Sequence, residues 1–475
     1  MTVEAAAAVV STESYVFQGT INKKPPHVIG GKGVYMTIEK DGKVYEDVLD
    51  AVTGAAVGAL GWGDEEILPI IEKAAKNHTY SFPSIIGNQA SEDLAKFYIE
   101  NSPKDVFAAA LWCCSGSESN ENAMKIIRQY QMERGCPEKT KIISRDISYH
   151  GFTLGALSIS HCGRADLFKD ISIDQTNTCL KMPVCYPYRY QQKGETEEQY
   201  SQRLLDALEK IILDNDPKTV SCVLVETLPG SSLGTVPSPK GYLSGIRALC
   251  NKYDVIFMLD EVMCGTGRCN PNGKLNCWES FIGPEDAPDI QTVGKTLGSG
   301  YVTIAGVLVG PKIRDAFING SNAVFGSHTY ASHGFNCEVA LGVQKKISRE
   351  GLTANIFKMG NLMGSKLQDA LLKEDNIVGD VRGIGGFWSL EFVKDKATKE
   401  VFPVELDIGH RFQKVCFDNK LSVMGMQGNA DGTSGDIALL APAFIITEGD
   451  VDAIVQKVIE SVNQLTKEMK AEGTW

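Results

Sequence analysis

The stretch Val255-Ile256-Phe257-Met258-Leu259-Asp260-Glu261-Val262 decides how this chain folds. Five successive apolar residues with no polar face fit a strand buried on both sides. Such strands belong to a mostly parallel sheet covered by helices. The run ends on Asp260, so a carboxylate stands where strand gives way to loop. Working outward, further short apolar runs recur between about Ser91 and Gly310: Lys141-Ile142-Ile143, Val220 to Val225, Ile290 to Val293 and Ala305 to Val309. Helical patterns separate them, which predicts an α/β unit. In such sheets ligands gather at the carboxyl ends of the strands. Glu226, Asp260 and Lys295 all fall at such ends.

The flanks read differently. Val34 to Ile38 and Val44 to Val48 flank Asp41-Gly42, a strong hairpin signal. Asp64 is placed to cap a helix running to about Asn77. After Gly334 the pattern predicts a long helix, a strand from Val381 to Phe392, a helix around His410 to Lys420, a strand at Asp436 to Leu440 and an amphipathic helix from Glu448 to Met469. The reading divides the chain into an N-terminal segment (1–68) joining a small α+β domain, a large ligand-binding domain (69–335), and the C-terminal part of the small domain (336–475).

Composition narrows the partners. The 475 residues are 43% hydrophobic and 22% charged, with a net charge of -12 from 47 basic and 59 acidic side chains. No basic block stands out, which argues against nucleic acid and anionic membrane surfaces. No apolar stretch is long enough to span a bilayer. The segment Ala5 to Val10 is short and lacks a basic flank, so it reads as a loose terminus. The 13 cysteines are odd in number and scattered, which suits free thiols in a reducing, cytoplasmic setting. Neither Cys113-Cys114 nor Cys264 with Cys269 has the paired spacing of a zinc site, so no metal is expected.

The chemistry lies in the strand ends. A lysine and an aspartate so placed suit pyridoxal phosphate: the amine forms a Schiff base with its aldehyde, and the carboxylate keeps the pyridine nitrogen protonated. Ser115-Gly116-Ser117 precedes a helix beginning near Glu118. It offers hydroxyls, free N–H groups and the positive end of the helix dipole to a phosphate, although a simple serine N-cap reads the same way. Tyr149-His150-Gly151 follows a strand and offers a ring for stacking on a heterocycle; a packed tyrosine fits equally. Glu226 suits a hydrogen bond to a ligand or a salt bridge. Thr329 lies in a loop with His328.

Taken together, Ser-Gly-Ser-Glu, Tyr-His-Gly, Asp260-Glu261-Val262 running to Gly265-Thr266-Gly267-Arg268, and Gly294-Lys295 resemble the class III (ω-) pyridoxal-phosphate-dependent aminotransferases of fold type I. The likeness runs from about residue 30 to 460. It implies that Lys295 forms the internal Schiff base and moves a proton at the substrate carbon, with nitrogen carried as pyridoxamine phosphate. It implies that Asp260 pairs with the ring nitrogen, that Val262 and Tyr149 flank the ring with His150 beside it, and that Ser115, Gly116 and Ser117 hold the phosphate. Glu226 matches an acidic residue near the cofactor's hydroxyl. Thr329 matches a threonine reaching the phosphate of a neighbouring subunit, which implies a homodimer with shared sites. Arg382 in Arg382-Gly383-Ile384-Gly385 is expected to be structural.

The chain departs from the family near the substrate. Where many members place an arginine shortly before Ala-Pro-Pro, this one has Ala441-Pro442-Ala443 with no Arg or Lys between Lys420 and that segment. Arg164 is the alternative cation for a substrate carboxylate. Ala55-Ala56 ahead of Gly61-Trp62-Gly63 stands where a bulky aromatic is common. Ala56, Trp62, Tyr80 and Phe82 are therefore expected as pocket walls. The expected reaction transfers an amino group from an amine or ω-amino acid to a keto acid, with pyruvate the first acceptor. A decarboxylase or aminomutase of the same family is the alternative, and a dinucleotide-dependent oxidoreductase a remote one, since no G-x-G-x-x-G follows the first strand.

Overall fold

The computed structural model describes residues 14–17, 19, 24–173 and 178–475; Ala5 to Val10 lies outside them. At its centre is a seven-stranded sheet. From one edge the strands run Ala109–Cys113, Ala305–Val309, Ile290–Val293, Ile256–Asp260, Val220–Glu226, Lys141–Arg145 and Cys179–Met182. Neighbours from Ile290–Val293 to Cys179–Met182 pair parallel, whereas Ala305–Val309 is antiparallel to both its neighbours. The expected mostly parallel α/β sheet is present, and its one reversal has a simple cause. A parallel return needs a crossover of a dozen or more residues, usually built on a helix, and the short connection 294–304 holds a single 3-10 turn, Lys295–Leu297.

Successive residues of the central strands go to opposite faces. Val223, Val225, Phe257 and Leu259 pack with helices Glu197–Asp214 and Tyr242–Lys252. Cys222, Leu224, Ile256 and Met258 pack with helix Gly116–Glu133. Both faces are covered, which is why these runs carry no polar alternation. Cys179–Met182 escaped the sequence reading because Lys181 interrupts it. That amine donates to Ser144 Oγ (2.9 Å), Ile159 O (2.9 Å) and Ser160 O (3.1 Å), and burial pushes its pKa down to about 8.

Two smaller sheets flank this unit. His27–Lys32, Tyr35–Lys40 and Lys43–Asp50 form an antiparallel meander, with Asp41 (φ 52°) and Gly42 (φ 73°) making the tight turn between the paired Lys40 and Lys43. Leu421–Ser422 joins this sheet from far along the chain. The other sheet runs Val378–Ile384, Phe387–Phe392, Asp436–Leu440, Met424–Gln427. The stretch read as one strand from Val381 to Phe392 is thus a hairpin turning at Gly385-Gly386. The expected long helix is two, Gly334–Arg349 and Leu352–Leu371, separated at Gly351 in the left-handed region (φ 65°). Helices Leu352–Leu371, Ile408–Asp418 and Glu448–Glu472 bury their apolar faces in one cluster around Leu367, Leu390, Phe412 and Val458.

Candidate active site

A cavity of ≈ 500 Å³ opens at the carboxyl ends of the central strands. Glu226 and Asp260 lie side by side in register at two adjacent strand ends, and Lys295 follows the next strand after Gly294. All three line the cavity, together with Ser115, Gly116, Ser117, Tyr149, His150, Arg164 and Val262.

Asp260 is held at both oxygens. Asn120 Nδ2 donates to Oδ2 (3.0 Å), and His150 Nδ1 lies 2.8 Å from the same oxygen. The Val262 N–H donates to Oδ1 (3.0 Å). Thr292 Oγ1 is 3.4 Å from Oδ1 but nearer, at 3.2 Å, to Asn120 Oδ1. One hydroxyl proton serves the closer acceptor, which leaves Asp260 Oδ1 with a lone pair for a ligand. Charge-assisted bonds of this kind offset the cost of burying the carboxylate. His150 is buried, and its Nε2 has no partner among the described residues.

Burial pushes the Lys295 amine down to about 8; Asp260 pulls it back up, while Arg164 and Arg268 push it further down. An amine so poised exchanges a proton near neutral pH. Lys295 also adopts a left-handed backbone (φ 48°), a strained conformation of the sort that clusters at functional sites. Burial raises the Glu226 carboxyl, opposed by His150 and Arg145. Arg145 Nη2 donates to Glu226 Oε2 (3.2 Å), and Ser232 Oγ to Oε1 (3.3 Å).

The phosphate end is built on the first turn of helix Gly116–Glu133. Ser115 and Glu118 form a capping box: Glu118 N–H donates to Ser115 Oγ (3.3 Å), and Ser115 N–H to Glu118 Oε2 (3.1 Å). The Ser115 hydroxyl accepts in this cap, so its own proton remains for a ligand. Among the described residues the backbone N–H groups of Gly116 and Ser117 have no acceptor. Ser117 Oγ accepts from Phe152 N–H (2.9 Å), so its own proton remains for a ligand. A Cβ on Gly116 would stand 2.6 Å from Val262 Cγ1, and one on Gly151 (φ 135°) 2.6 Å from Ser117 Oγ. Both glycines are required by close approach. Lysine, carboxylate, flanking side chains and a helix N-terminus with free donors fit pyridoxal phosphate in chemistry and in size.

Several expected walls are corrected. Ala56 is buried among Val52, Leu228 and Cys264, because the backbone twists at Gly54 (φ 74°) and Ala56 (φ 61°); Ala55 and Val57 line the cavity instead. Trp62 is turned away, its indole N–H donating to Asp50 Oδ2 (3.0 Å) and its ring packed on Gly31. Tyr80 and Phe82 are half-exposed at the surface, where Tyr80 OH donates to Thr329 O (3.0 Å) and its ring meets Tyr330. Thr329 lies in that patch and does not line the cavity within one chain. Arg164 does line it, its guanidinium 5.1 Å from the centroid of the Tyr149 ring. Asn120 and Thr292 were missed, although Asn120 falls one helical turn after Gly116 and so on the same face.

Glu261 and two cysteines, Cys264 and Cys277, bring metal-ligating atoms within 4.8 Å of one another. The carboxylate accepts from Thr227 Oγ1 (2.9 Å), Cys277 N (2.8 Å), Trp278 N (2.7 Å) and Gln291 Nε2 (3.0 Å), which assigns it to tying loops together.

Comparison with known proteins places the chain in a family. The family model described as aminotransferase class-III matches residues 22–462. The chain belongs to the class-III aminotransferases. An uncharacterised aminotransferase of Schizosaccharomyces pombe is 37% identical over 451 residues, covering 95% of each chain. A gamma aminobutyrate transaminase of Solanum lycopersicum is 31% identical over 443 residues, 91% of this chain and 80% of its own. The crystal structure of an omega transaminase from Pseudomonas jessenii in complex with PMP superposes with a TM-score of 0.83 at 27% identity, covering 93% of each. As a class-III aminotransferase of fold type I, the chain is an enzyme that uses pyridoxal phosphate, an amine donor and a keto acid. Among its described residues no helix is long and apolar enough to cross a membrane.

Proposed function

We propose that this aminotransferase moves nitrogen from an amine that carries a carboxylate to a keto acid, with pyruvate the first acceptor to test. The observation that carries the reading is Arg164, the one guanidinium among the described side chains that line the cavity. The wall also includes Leu228, Met263, Met424 and Ile304, apolar side chains suited to a hydrocarbon stem. Arginine matches a carboxylate in a planar, bidentate fashion.

Pyridoxal phosphate, when bound, supplies an aldehyde that carries the nitrogen and a ring that draws electrons from the reacting carbon. Lys295, held near neutrality, takes the proton from the donor carbon and returns one during the second half of the cycle. Asp260 keeps the ring nitrogen protonated, and His150 and Asn120 hold its carboxylate in place. Gly116 and Ser117 would receive the phosphate, Tyr149 and Val262 would flank the ring, and Glu226 would lie near its hydroxyl. We further infer a cytoplasmic homodimer. Exposed apolar residues, among them Ile85, Ile86, Phe325 and the Tyr330 beside Thr329, support a second subunit.

A panel of alkylamines and ω-amino acids, assayed with pyruvate, 2-oxoglutarate and glyoxylate, tests the reading. Carboxylate-bearing donors are expected to win, and Arg164→Gln to raise their KM about tenfold or more while leaving alkylamine KM within about twofold, as for a lost charge-assisted pair. Release of carbon dioxide without amine transfer to any acceptor defeats it.

A further inference from the structure

Lys295 opens the short 3-10 turn Lys295–Leu297 in the left-handed region (φ 48°), and Ser299 just beyond it repeats the strain (φ 51°). Residues held in such regions persist only where their surroundings over-determine them. The ties on this turn are few. Leu297 N–H donates to Gly294 O (2.9 Å), and the N–H groups of Gly298 and Ser299 donate to Lys295 O (3.2 Å each). The next two carbonyls are taken by one side chain: Gln344 Nε2 donates to Thr296 O and to Leu297 O (3.0 Å each). On the other flank Thr296 Oγ1 donates to Gly265 O (3.2 Å), in the loop that follows Asp260. Leu60 N–H donates to Ser299 Oγ (2.9 Å).

Gln344 is fully buried on helix Gly334–Arg349, where Val339, Val343 and Ile347 belong to the apolar core. A polar amide in such a place costs free energy unless it is bonded. Its Oε1 finds no donor among the described residues. The side chain thus gives its protons to the lysine turn and gains nothing as an acceptor. A methionine of similar length would fill the space without that penalty, but it would leave two buried carbonyls unpaired. The amide is explained by the turn it holds and not by the packing of its helix.

We propose that Gln344, with the Thr296 hydroxyl as a second tie, is a positioning residue that keeps Lys295 in its strained conformation and so aims its amine into the cofactor cavity. The inference rests on Lys295 as the lysine that captures pyridoxal phosphate. It reaches that lysine from a helix none of whose described residues lines the cavity. Capture joins the amine nitrogen to the aldehyde carbon and releases the aldehyde oxygen as water, so no oxidant is involved. Gln344 acts only on where the amine stands.

The test separates covalent capture from the rest of cofactor binding. Pyridoxamine phosphate offers the same ring and phosphate without the aldehyde, so it reports on the site without the lysine bond. Gln344→Met apoenzyme is expected to bind pyridoxal phosphate at least about tenfold more weakly than wild type, and pyridoxamine phosphate within about twofold. Thr296→Val, which keeps the side chain's shape, should show the same split at about threefold, and it carries the test should Gln344→Met not fold. The pH dependence of cofactor uptake is a second readout. Burial, with Arg164 and Arg268, holds the Lys295 amine at about 8 against the pull of Asp260. A released turn admits water, so the midpoint is expected to rise by about 0.5 or more in Gln344→Met. Val343→Ala opens space on the same helix and lowers stability, yet should leave the ratio of the two cofactor affinities at its wild-type value. Equal losses for both cofactor forms in Gln344→Met, or a ratio moved as far by Val343→Ala, overturns the brace and leaves the role of Lys295 standing. Covalent fixation of pyridoxal phosphate by Lys295→Ala defeats the reading of Lys295, and the brace with it.

Discussion

Replacing Gly116 by alanine isolates the contact on which the phosphate end is built. The added Cβ would stand 2.6 Å from Val262 Cγ1, 3.2 Å from Cγ2 and 3.4 Å from Cβ. Ordinary carbon contacts lie at about 3.5–4.0 Å, so one side or the other must move by roughly 1 Å. Val262 is β-branched and stiff at χ1. Its N–H is bonded to Asp260 Oδ1 at 3.0 Å, so displacement disturbs the carboxylate too. Overpacking of this size costs about 1–3 kcal/mol. If the strain falls on the bound state, cofactor affinity drops by about five- to 150-fold, at 1.4 kcal/mol per decade. Titration of apoenzyme with pyridoxal phosphate, followed by visible absorbance, reads this directly. Val262→Ala alone removes the colliding methyls, and the double variant Gly116→Ala/Val262→Ala should recover to within about threefold of Val262→Ala. A Gly116→Ala enzyme that binds cofactor like wild type, or a double variant no better than Gly116→Ala, refutes the reasoning.

Two further outcomes are expected. Burial holds the Lys295 amine at about 8, and the neutral amine is the form that captures an aldehyde, so the rate of cofactor uptake by apoenzyme should rise with pH through about 8. Asp260 favours the ammonium, hence Asp260→Asn should move that midpoint down; a midpoint in the ordinary lysine range contradicts the assignment. Glu391 is fully buried, bonded to Arg382 Nη1 at 2.5 Å and to Arg189 and Tyr186, and Arg382 in turn donates to the carbonyls of Leu233 and Gly234 (2.6 Å each) behind the cavity wall. Glu391→Gln should cost about 3–5 kcal/mol in urea unfolding, because Asp380 still pairs with Arg382 but the buried Arg189 loses its carboxylate; an unchanged midpoint argues against that clamp.

What the sequence made legible was what local pattern controls. Apolar runs gave the central strands, and their ends gave Glu226, Asp260 and Lys295. Asp41-Gly42 gave a hairpin because both residues tolerate positive φ, which suits the type I′ turn that joins strands two residues apart. Register was hidden. That Thr292 stands opposite Asp260, and that Ala305–Val309 runs backward, follow from how strands pair rather than from any one strand. The pocket walls failed for a related reason. Trp62 was judged by its neighbours Gly61 and Gly63, but the bridge between Gly33 and Trp62 and the bond to Asp50 fix its direction. Tyr80, Phe82 and Thr329 sit at the surface, where the proposed second subunit would set their role.

The absorption spectrum of the purified protein tests the central claim most directly. Wild-type enzyme is expected to show a visible band that bleaches on borohydride and leaves the cofactor covalently fixed to a peptide containing Lys295. Lys295→Ala should lack both the band and the adduct. A colourless protein that takes up no pyridoxal phosphate, or an adduct mapped to another lysine, would contradict the account.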